Sequence, residues 1–166
     1  GNYLRYFTKK NKDPFFPGPN SVYNDEVIGT IDYLEKPGKL VENVRDNLFS
    51  PIGLAELSKK NNIHFTYLGT GCIFEYDNKH LFGNPDTGFV EEDLPNFVGS
   101  SYSIVKGYTD RLMQLCYSDS TLNARIRMPI TGEENPRNLI TKIINYKKIC
   151  SIKNSITILP ELLPYV

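Results

Sequence analysis

Apolar residues recur at two spacings along the chain, and each spacing predicts a different kind of element. From Lys39 to Lys60 they return every three or four positions, as in an amphipathic helix. Helical spacing appears again over residues 101–115 and 138–146. Between these segments, residues 63–68 are rich in aromatic and branched side chains, and residues 122–128 alternate, so both are predicted as strands. Helices alternating with strands predict an α/β fold with a parallel sheet.

Other segments predict less regular structure. Residues 21–33 have a mixed pattern that fits a short strand or a loop against the core. Residues 75–101 are polar and rich in glycine and proline, and their length predicts a lid or binding loop. Two short apolar segments, residues 149–152 and 156–159, are predicted as edge strands. We therefore divide the chain into an irregular arm, residues 1–20, and one domain, residues 21–166.

The arm mixes aromatic and basic side chains and then breaks on three prolines. Aromatic residues interleaved with basic ones could stack on single-stranded nucleic acid or anchor a partner. A loosely packed terminus is the alternative that we favour, because chain ends are commonly disordered unless they are tied down.

Composition narrows the function classes. The 166 residues suit a single domain, and 19 basic side chains cancel 19 acidic ones, so no net field favours nucleic acid or a membrane surface. The three cysteines match no zinc or disulfide framework, and there are only two histidines, so we expect no metal site. No apolar run approaches the roughly 18 residues of a membrane span. A cytoplasmic protein is the expectation.

Pro51 falls inside the first predicted helix. Because proline lacks an N–H, it leaves the carbonyl of Asn47 without its usual donor. A kink there could present that carbonyl to water or a ligand. The alternative is that Pro51 only bends the helix around the core, and the sequence leaves both open.

The strongest chemical signal is a tyrosine and a lysine on one helix face. Tyr102 and Lys106 are four residues apart. At about 5 Å and an effective dielectric of about 20, the lysine charge would stabilise a phenolate by roughly 3 kcal/mol. This predicts a Tyr102 pKa lowered by about two units, towards the range of a general acid. The alternative is that both are ordinary helix residues.

A second signal lies where the strand of residues 63–68 ends. Gly69 and Gly71 flank Thr70, and Cys72 follows. Ligands of parallel α/β sheets bind beyond the carboxyl ends of strands, and glycines permit close approach of backbone and ligand. Thr70 could equally be a simple strand-end residue, and Cys72 a small buried apolar side chain.

Five strings in order over residues 31–163 resemble one branch of the extended short-chain dehydrogenases. That branch is the UDP-4-keto-6-deoxyglucose 3,5-epimerase/4-reductase of UDP-rhamnose synthesis, which is related to dTDP-4-dehydrorhamnose reductase. The strings are TGCIFEYD at 70–77, EEDLPNF at 91–97, GSSYS at 99–103, RIRMPI at 125–130 and NPRN at 135–138.

The resemblance implies a reductive site. Thr70 would hydrogen-bond the C4 ketone of the sugar, and Tyr102 would protonate its oxygen. Lys106 would hold the nicotinamide ribose of NADPH, or NADH, and lower the Tyr102 pKa. Asn47 would be the active-site asparagine of these dehydrogenases.

The resemblance also implies an epimerase pair and substrate contacts. Cys72 and Lys142 would exchange protons at the carbons beside the ketone. Arg127 and Asn138, which belong to the matching strings, would bind the nucleotide-sugar substrate together with Thr70.

The family's glycine-rich turn, which holds the cofactor pyrophosphate, has no counterpart in this sequence. The expected fold is therefore a partial Rossmann-like parallel sheet that lacks the N-terminal glycine-rich βαβ half and is truncated at both ends. Such a sheet would expose an edge that needs a homodimer partner or a completing polypeptide.

Two functions follow from this. The favoured one is the catalytic middle of an NADPH-dependent epimerase/reductase, although the absent cofactor half argues against activity of the chain alone. The alternative is a truncated, noncatalytic structural or interaction protein derived from that family.

Overall fold

The fold is known from a computed structural model that describes residues 31–166, except Arg137, Cys150 and Ile152. The predicted arm and most of the mixed segment, residues 21–33, lie outside the described residues. The described part of that segment is a helical turn, α1 (Ile31–Leu34).

The predicted helix over residues 39–60 is confirmed, with a change of register inside it. It consists of α2 (Leu40–Val44), a π-helical segment (Arg45–Phe49) and α3 (Ser50–Lys60). Pro51 is buried at the start of α3. Since Pro51 cannot donate to a carbonyl four residues back, the wider π-helical turn precedes it and the helix continues beyond.

The middle of the chain forms a strand–helix–strand unit around the long loop. Its elements are β1 (Phe65–Thr70), a 3₁₀ turn (Gly71–Ile73), a second 3₁₀ turn (Pro85–Thr87), α4 (Ser101–Tyr117) and β2 (Thr121–Ile126). The two strands pair in parallel, with Tyr67 opposite Asn123 and Leu68 opposite Ala124. The predicted strands, helix and long loop are thus confirmed to within a few residues.

The C-terminal region contributes a second, smaller parallel pair. Its elements are β3 (Pro129–Ile130), α5 (Leu139–Asn145), β4 (Thr157–Ile158), α6 (Leu159–Leu162) and a 3₁₀ turn (Leu163–Tyr165). The predicted edge strand at 156–159 is therefore partly confirmed. At 149–152, Ile149 and Ser151 are irregular and the other two residues lie outside the described part.

The core between β1 and the helices is small. Ala55, Tyr67 and Met113 form its buried centre, and Ile52, Phe65 and Tyr117 pack around them. Buried polar side chains are as prominent as apolar ones, and most of them lie on or beside α4. They are Asn43, Thr70, Ser103, Lys106, Thr109, Asp110 and Asn138. Buried polar groups need partners, so their contacts indicate where chemistry is arranged.

The chain is therefore an α/β protein with small parallel sheets. Its assignment as a partial Rossmann-like sheet stays a prediction. Among the described helices, none combines the length and the apolar character that crossing a bilayer requires.

Candidate active site

Thr70 and Cys72 are held where β1 ends and turns. The Thr70 hydroxyl oxygen accepts a hydrogen bond from the Cys72 amide at 3.1 Å, which closes the 3₁₀ turn. Gly69 is needed for strand packing, because a Cβ there would lie 2.6 Å from Asn123 Oδ1. The glycine at position 69 thus allows a side chain of β2, Asn123, to approach the β1 backbone closely.

Tyr102 lies in the first turn of α4, which is capped from two sides. The Ser100 hydroxyl accepts from the Ser103 amide at 3.1 Å, as an N-cap serine does. Glu35 accepts from the Tyr102 amide at 2.6 Å and from the Ser101 hydroxyl at 3.1 Å. These caps fix the start of α4 and hence the position of Tyr102.

A cleft of about 350 Å³ brings three of the predicted residues together: Cys72, Tyr102 and Arg127. Its remaining lining residues are Ile31, Phe74, Phe97, Ser100 and Ser103. Arg127 Nη1 donates to Cys72 Sγ at 2.8 Å, and Arg127 Nε donates to Asn154 Oδ1 at 3.2 Å. The guanidinium is therefore anchored from the C-terminal region and aimed at the sulfur.

Thr70 joins this cleft through Tyr102. Burial raises the pKa of Tyr102 to about 12, the nearby Cys72 adds to the rise, and a hydrogen bond with Thr70 opposes it. The prediction that Lys106 lowers the pKa of Tyr102 is wrong for this structure. Burial dominates here, and the phenol remains a proton donor across the neutral range.

Lys106 is buried beneath Tyr102 on α4, with only 7% of its surface exposed. Its Nζ donates to the phenol oxygen of Tyr67, lies 4.3 Å from the centre of that ring, and is 3.5 Å from the carbonyl oxygen of Leu68. Burial lowers the pKa of Lys106 to about 8, and Asp110 opposes the shift. The charge of Lys106 is thus directed at β1.

The carbonyl of Asn47 that Pro51 leaves free accepts a hydrogen bond from the Thr109 hydroxyl. The Asn47 side chain donates to Asn43 Oδ1 at 3.0 Å. Of the two alternatives for Pro51, this arrangement favours the structural one.

Two predicted residues lie away from the cleft lining. Lys142 is half-buried on α5. Asn138 caps α5 by accepting from the Ile140 amide at 3.2 Å, and its amide nitrogen donates to the carbonyls of Thr131 and Glu133. These contacts use both ends of the Asn138 side chain and hold the start of α5. The roles predicted for Asn138 and Lys142 stay predictions.

Sequence reasoning missed the group that anchors the long loop to β2 and α4. Arg125 forms a two-point ion pair with Asp110, at 2.9 Å for both contacts, and donates to the carbonyls of Val90 and Asp93. The Arg125 guanidinium also lies 5.1 Å from the Phe74 ring centre. The sequence did offer a signal, because Arg125 lies between apolar residues in a predicted strand. An arginine that is buried in this way needs an acidic or carbonyl partner.

Aromatic stacking orders the rest of that loop. Phe74 stacks on Phe89 at 4.3 Å, and Phe89 stacks on His80 at 3.9 Å. Asp77 caps the turn before His80 by accepting from the amides of residues 79 and 80, which lower its pKa to about 2. The described residues hold no cluster of three metal-ligating side chains.

No protein-family model matches the chain. Protein L780 of Acanthamoeba polyphaga mimivirus is 62% identical over 135 residues, which cover 81% of this chain and 46% of that protein. A bifunctional dTDP-4-dehydrorhamnose 3,5-epimerase/dTDP-4-dehydrorhamnose reductase of Arabidopsis thaliana is 46% identical over 150 residues, covering 88% of this chain and 48% of that protein. A trifunctional UDP-glucose 4,6-dehydratase/UDP-4-keto-6-deoxy-D-glucose 3,5-epimerase/UDP-4-keto-L-rhamnose-reductase of the same plant is 41% identical, with 22% of its length matched.

A solved structure is similar to this chain over the same share of its length. The crystal structure of L780, described as a UDP-rhamnose synthase, superposes with a TM-score of 0.73 at 59% identity, covering 81% of this chain and 46% of that one. The chain thus spans about half the length, or less, of the relatives that it matches. Sequence and fold together make it a homologue of part of the L780 UDP-rhamnose synthase.

Proposed function

We propose that the cleft of Cys72, Tyr102 and Arg127 acts on a nucleotide 4-keto-6-deoxyhexose, epimerising C3 and C5 and supporting reduction at C4. The observation that carries the proposal is the meeting of a thiol, a phenol and a guanidinium in one cleft beside the Thr70 hydroxyl. Relatives named for this chemistry support it.

The epimerase step needs a group that exchanges protons at carbon. A ketone makes the C–H bonds beside it acidic, so a thiolate can take up such a proton and a thiol can give one, and inversion requires that the proton return on the opposite face of the carbon. Cys72 supplies that sulfur, and Arg127, 2.8 Å away, orients it and adds positive charge near the enolate oxygen. Arg127 is thus the cationic side chain that lines the cleft beside Cys72, whereas Lys142, the predicted partner of Cys72, does not line it.

The reductive step needs a proton donor at the ketone oxygen. Tyr102 provides the phenol, and Thr70 supplies a second hydroxyl beside it. Bound NADPH would supply the hydride. Lys106 fits the ribose end of such a cofactor, because an ammonium has three N–H donors and the contacts to Tyr67 and Leu68 use two. The described residues offer no glycine-rich turn for the pyrophosphate, so we propose that other residues hold it.

The larger sheet supports a completing partner, as predicted. Within the described residues β1 pairs with β2 alone, and Leu68 and Leu122 are about 40% exposed on the sheet face turned away from α4. Parallel sheets are normally covered on both faces. We propose that further polypeptide, a second copy or a completing chain, covers this face in a Rossmann-like arrangement.

The test supplies the full chain with UDP-4-keto-6-deoxyglucose and NADPH and follows product by mass spectrometry. Tyr102→Phe is expected to reduce the rate of C4 reduction by about 100-fold or more while sparing proton exchange, since it removes only the general acid. Tyr108→Phe, on the exposed side of α4, is the matched control and should leave both unchanged. Reduction at wild-type rate in Tyr102→Phe, or none in the wild type, would contradict the reductive part.

A further inference from the structure

The Lys106 side chain is held by β1 and not by its own helix. Its Nζ contacts the phenol oxygen of Tyr67 and the carbonyl oxygen of Leu68, and both acceptors belong to β1. An ammonium has no lone pair, so it donates to Tyr67 and the phenol oxygen accepts. The hydrogen of the phenol is therefore free to be donated elsewhere.

Thr109, on α4, lies close to Tyr67 and opposes the rise that burial causes in the pKa of that phenol. The Thr109 hydroxyl contacts the carbonyl oxygens of Asn47 and Val105, the latter at 3.0 Å. A carbonyl only accepts, so Thr109 is the donor in these contacts.

Thr109 also satisfies a carbonyl that the proline of α3 leaves without a backbone donor. Asn47 lies in the π-helical segment, and Pro51 cannot supply its carbonyl with an N–H. Thr109 supplies the missing donor from α4. Because Tyr67 and Thr109 are buried, water competes little for these bonds.

We propose that Tyr67 is a positioning residue for the Lys106 ammonium, which it holds against β1 together with the Leu68 carbonyl. β1 and α4 then fix the lysine between them, one helical turn from Tyr102. The catalytic use of this position rests on the proposed function, whereas the arrangement itself does not.

The charged and titratable groups around the lysine make the effect measurable. Asp110, on α4 and 1% exposed, favours the charged lysine, and burial disfavours it. Tyr102 and Asp110 both add to the rise that burial causes in the pKa of Tyr67. The Tyr67 oxygen is the nearest acceptor of the ammonium, so its removal is expected to make the charged form less favourable.

The test is a pH titration of the Lys106 side chain in the full chain by NMR, with ¹³C-labelled lysine and Lys106→Met to assign the signal. Tyr67→Phe keeps the ring over the ammonium and removes only the oxygen. Its titration midpoint should fall by about one pH unit below that of the wild type, as loss of a hydrogen bond to a charged group predicts.

Tyr117→Phe is the matched control. Tyr117 belongs to the same core, and its hydroxyl contacts Glu56 at 3.2 Å, away from Lys106. Its midpoint should equal the wild-type value. An unchanged or raised midpoint in Tyr67→Phe would overturn the positioning role.

The two proposals fail separately. Absence of any reaction with the ketosugar would contradict the proposed function and leave the NMR result as it is. Where reduction is observed, the midpoint of its pH–rate profile should move in Tyr67→Phe by the shift that the NMR titration shows.

Discussion

At the scale of single residues, Lys106 is the feature with the clearest energetic consequence. Its pKa falls from 10.5 to about 8 because the side chain is buried. Between these two pH values the unfolded chain binds the proton and the folded chain does not, so stability rises with pH across that window. Below pH 8 both states carry the charge, and the cost of burying it is fully present.

This gives the first prediction. Relative to Lys106→Met, the wild type should gain up to about 3 kcal/mol of unfolding free energy between pH 7 and pH 10.5. Urea unfolding of both proteins at several pH values measures it. The difference between the two proteins cancels the other groups that titrate there, and a difference that does not change with pH would contradict the burial of a charged Lys106.

Asn138 has a structural contact that is testable apart from its predicted role in substrate binding. Asparagine before an apolar helical segment is a standard N-cap signature, and the structure uses it as one. Asn138→Ala is expected to lower the unfolding free energy by about 1 to 2 kcal/mol, because the cap and the contacts to Thr131 and Glu133 are lost together. Equilibrium unfolding checks this. An unchanged stability would contradict a stabilising role for this cap.

At the scale of elements, the start of α4 fixes Tyr102. Ser100→Ala removes the cap on Ser103 and should cost about 1 kcal/mol of stability. Ser118→Ala, at the other end of α4, is the control, because Ser118 is the C-cap of this helix and not an N-cap. Urea unfolding compares them, and equal effects of the two substitutions would contradict the capping role.

The long loop depends on Arg125. Arg125→Met leaves Asp110, which is 1% exposed, without its cation, and should destabilise the fold by about 3 kcal/mol or more. It should also speed amide hydrogen exchange in residues 76–93, because two loop carbonyls lose their donor. Arg45→Met removes the more exposed pair with Asp46 and should change stability by about 0.5 kcal/mol or less. Slow exchange retained in Arg125→Met would show that the aromatic stack orders the loop without it.

At the scale of the whole molecule, the periodic segments were predictable because their signals are local. The helical spacing of residues 39–60 and the apolar run before Thr70 needed no knowledge of the fold. The π-helical register could not be read from the sequence, since a proline at position 51 is equally compatible with a simple bend of the helix. The pairing of β3 with β4 likewise joins segments about 30 residues apart.

The candidate site, too, was predictable only in part. The strand-end pair of Thr70 and Cys72 and the helix residue Tyr102 were located by short motifs, and the structure brings them together. The direction of the shift in the Tyr102 pKa was predicted wrongly. Helix spacing identifies Lys106 as a neighbour of Tyr102, but it gives neither the burial of Tyr102 nor the contact of Lys106 with Tyr67. Arg127 as the contact of Cys72 required the coordinates.

The central claim is that the cleft moves protons at carbon beside a ketone, and one measurement tests it without a nicotinamide cofactor. The full chain is incubated with UDP-4-keto-6-deoxyglucose in deuterated water, and the rate of deuterium incorporation at C3 and C5 is followed by NMR. Cys72→Ser is compared with Cys116→Ser, which changes an exposed cysteine near the C-terminal end of α4. We predict incorporation by the wild type and by Cys116→Ser, with a rate at least about 100-fold lower in Cys72→Ser. Equal rates in the two variants, or no incorporation by the wild type, would contradict the account.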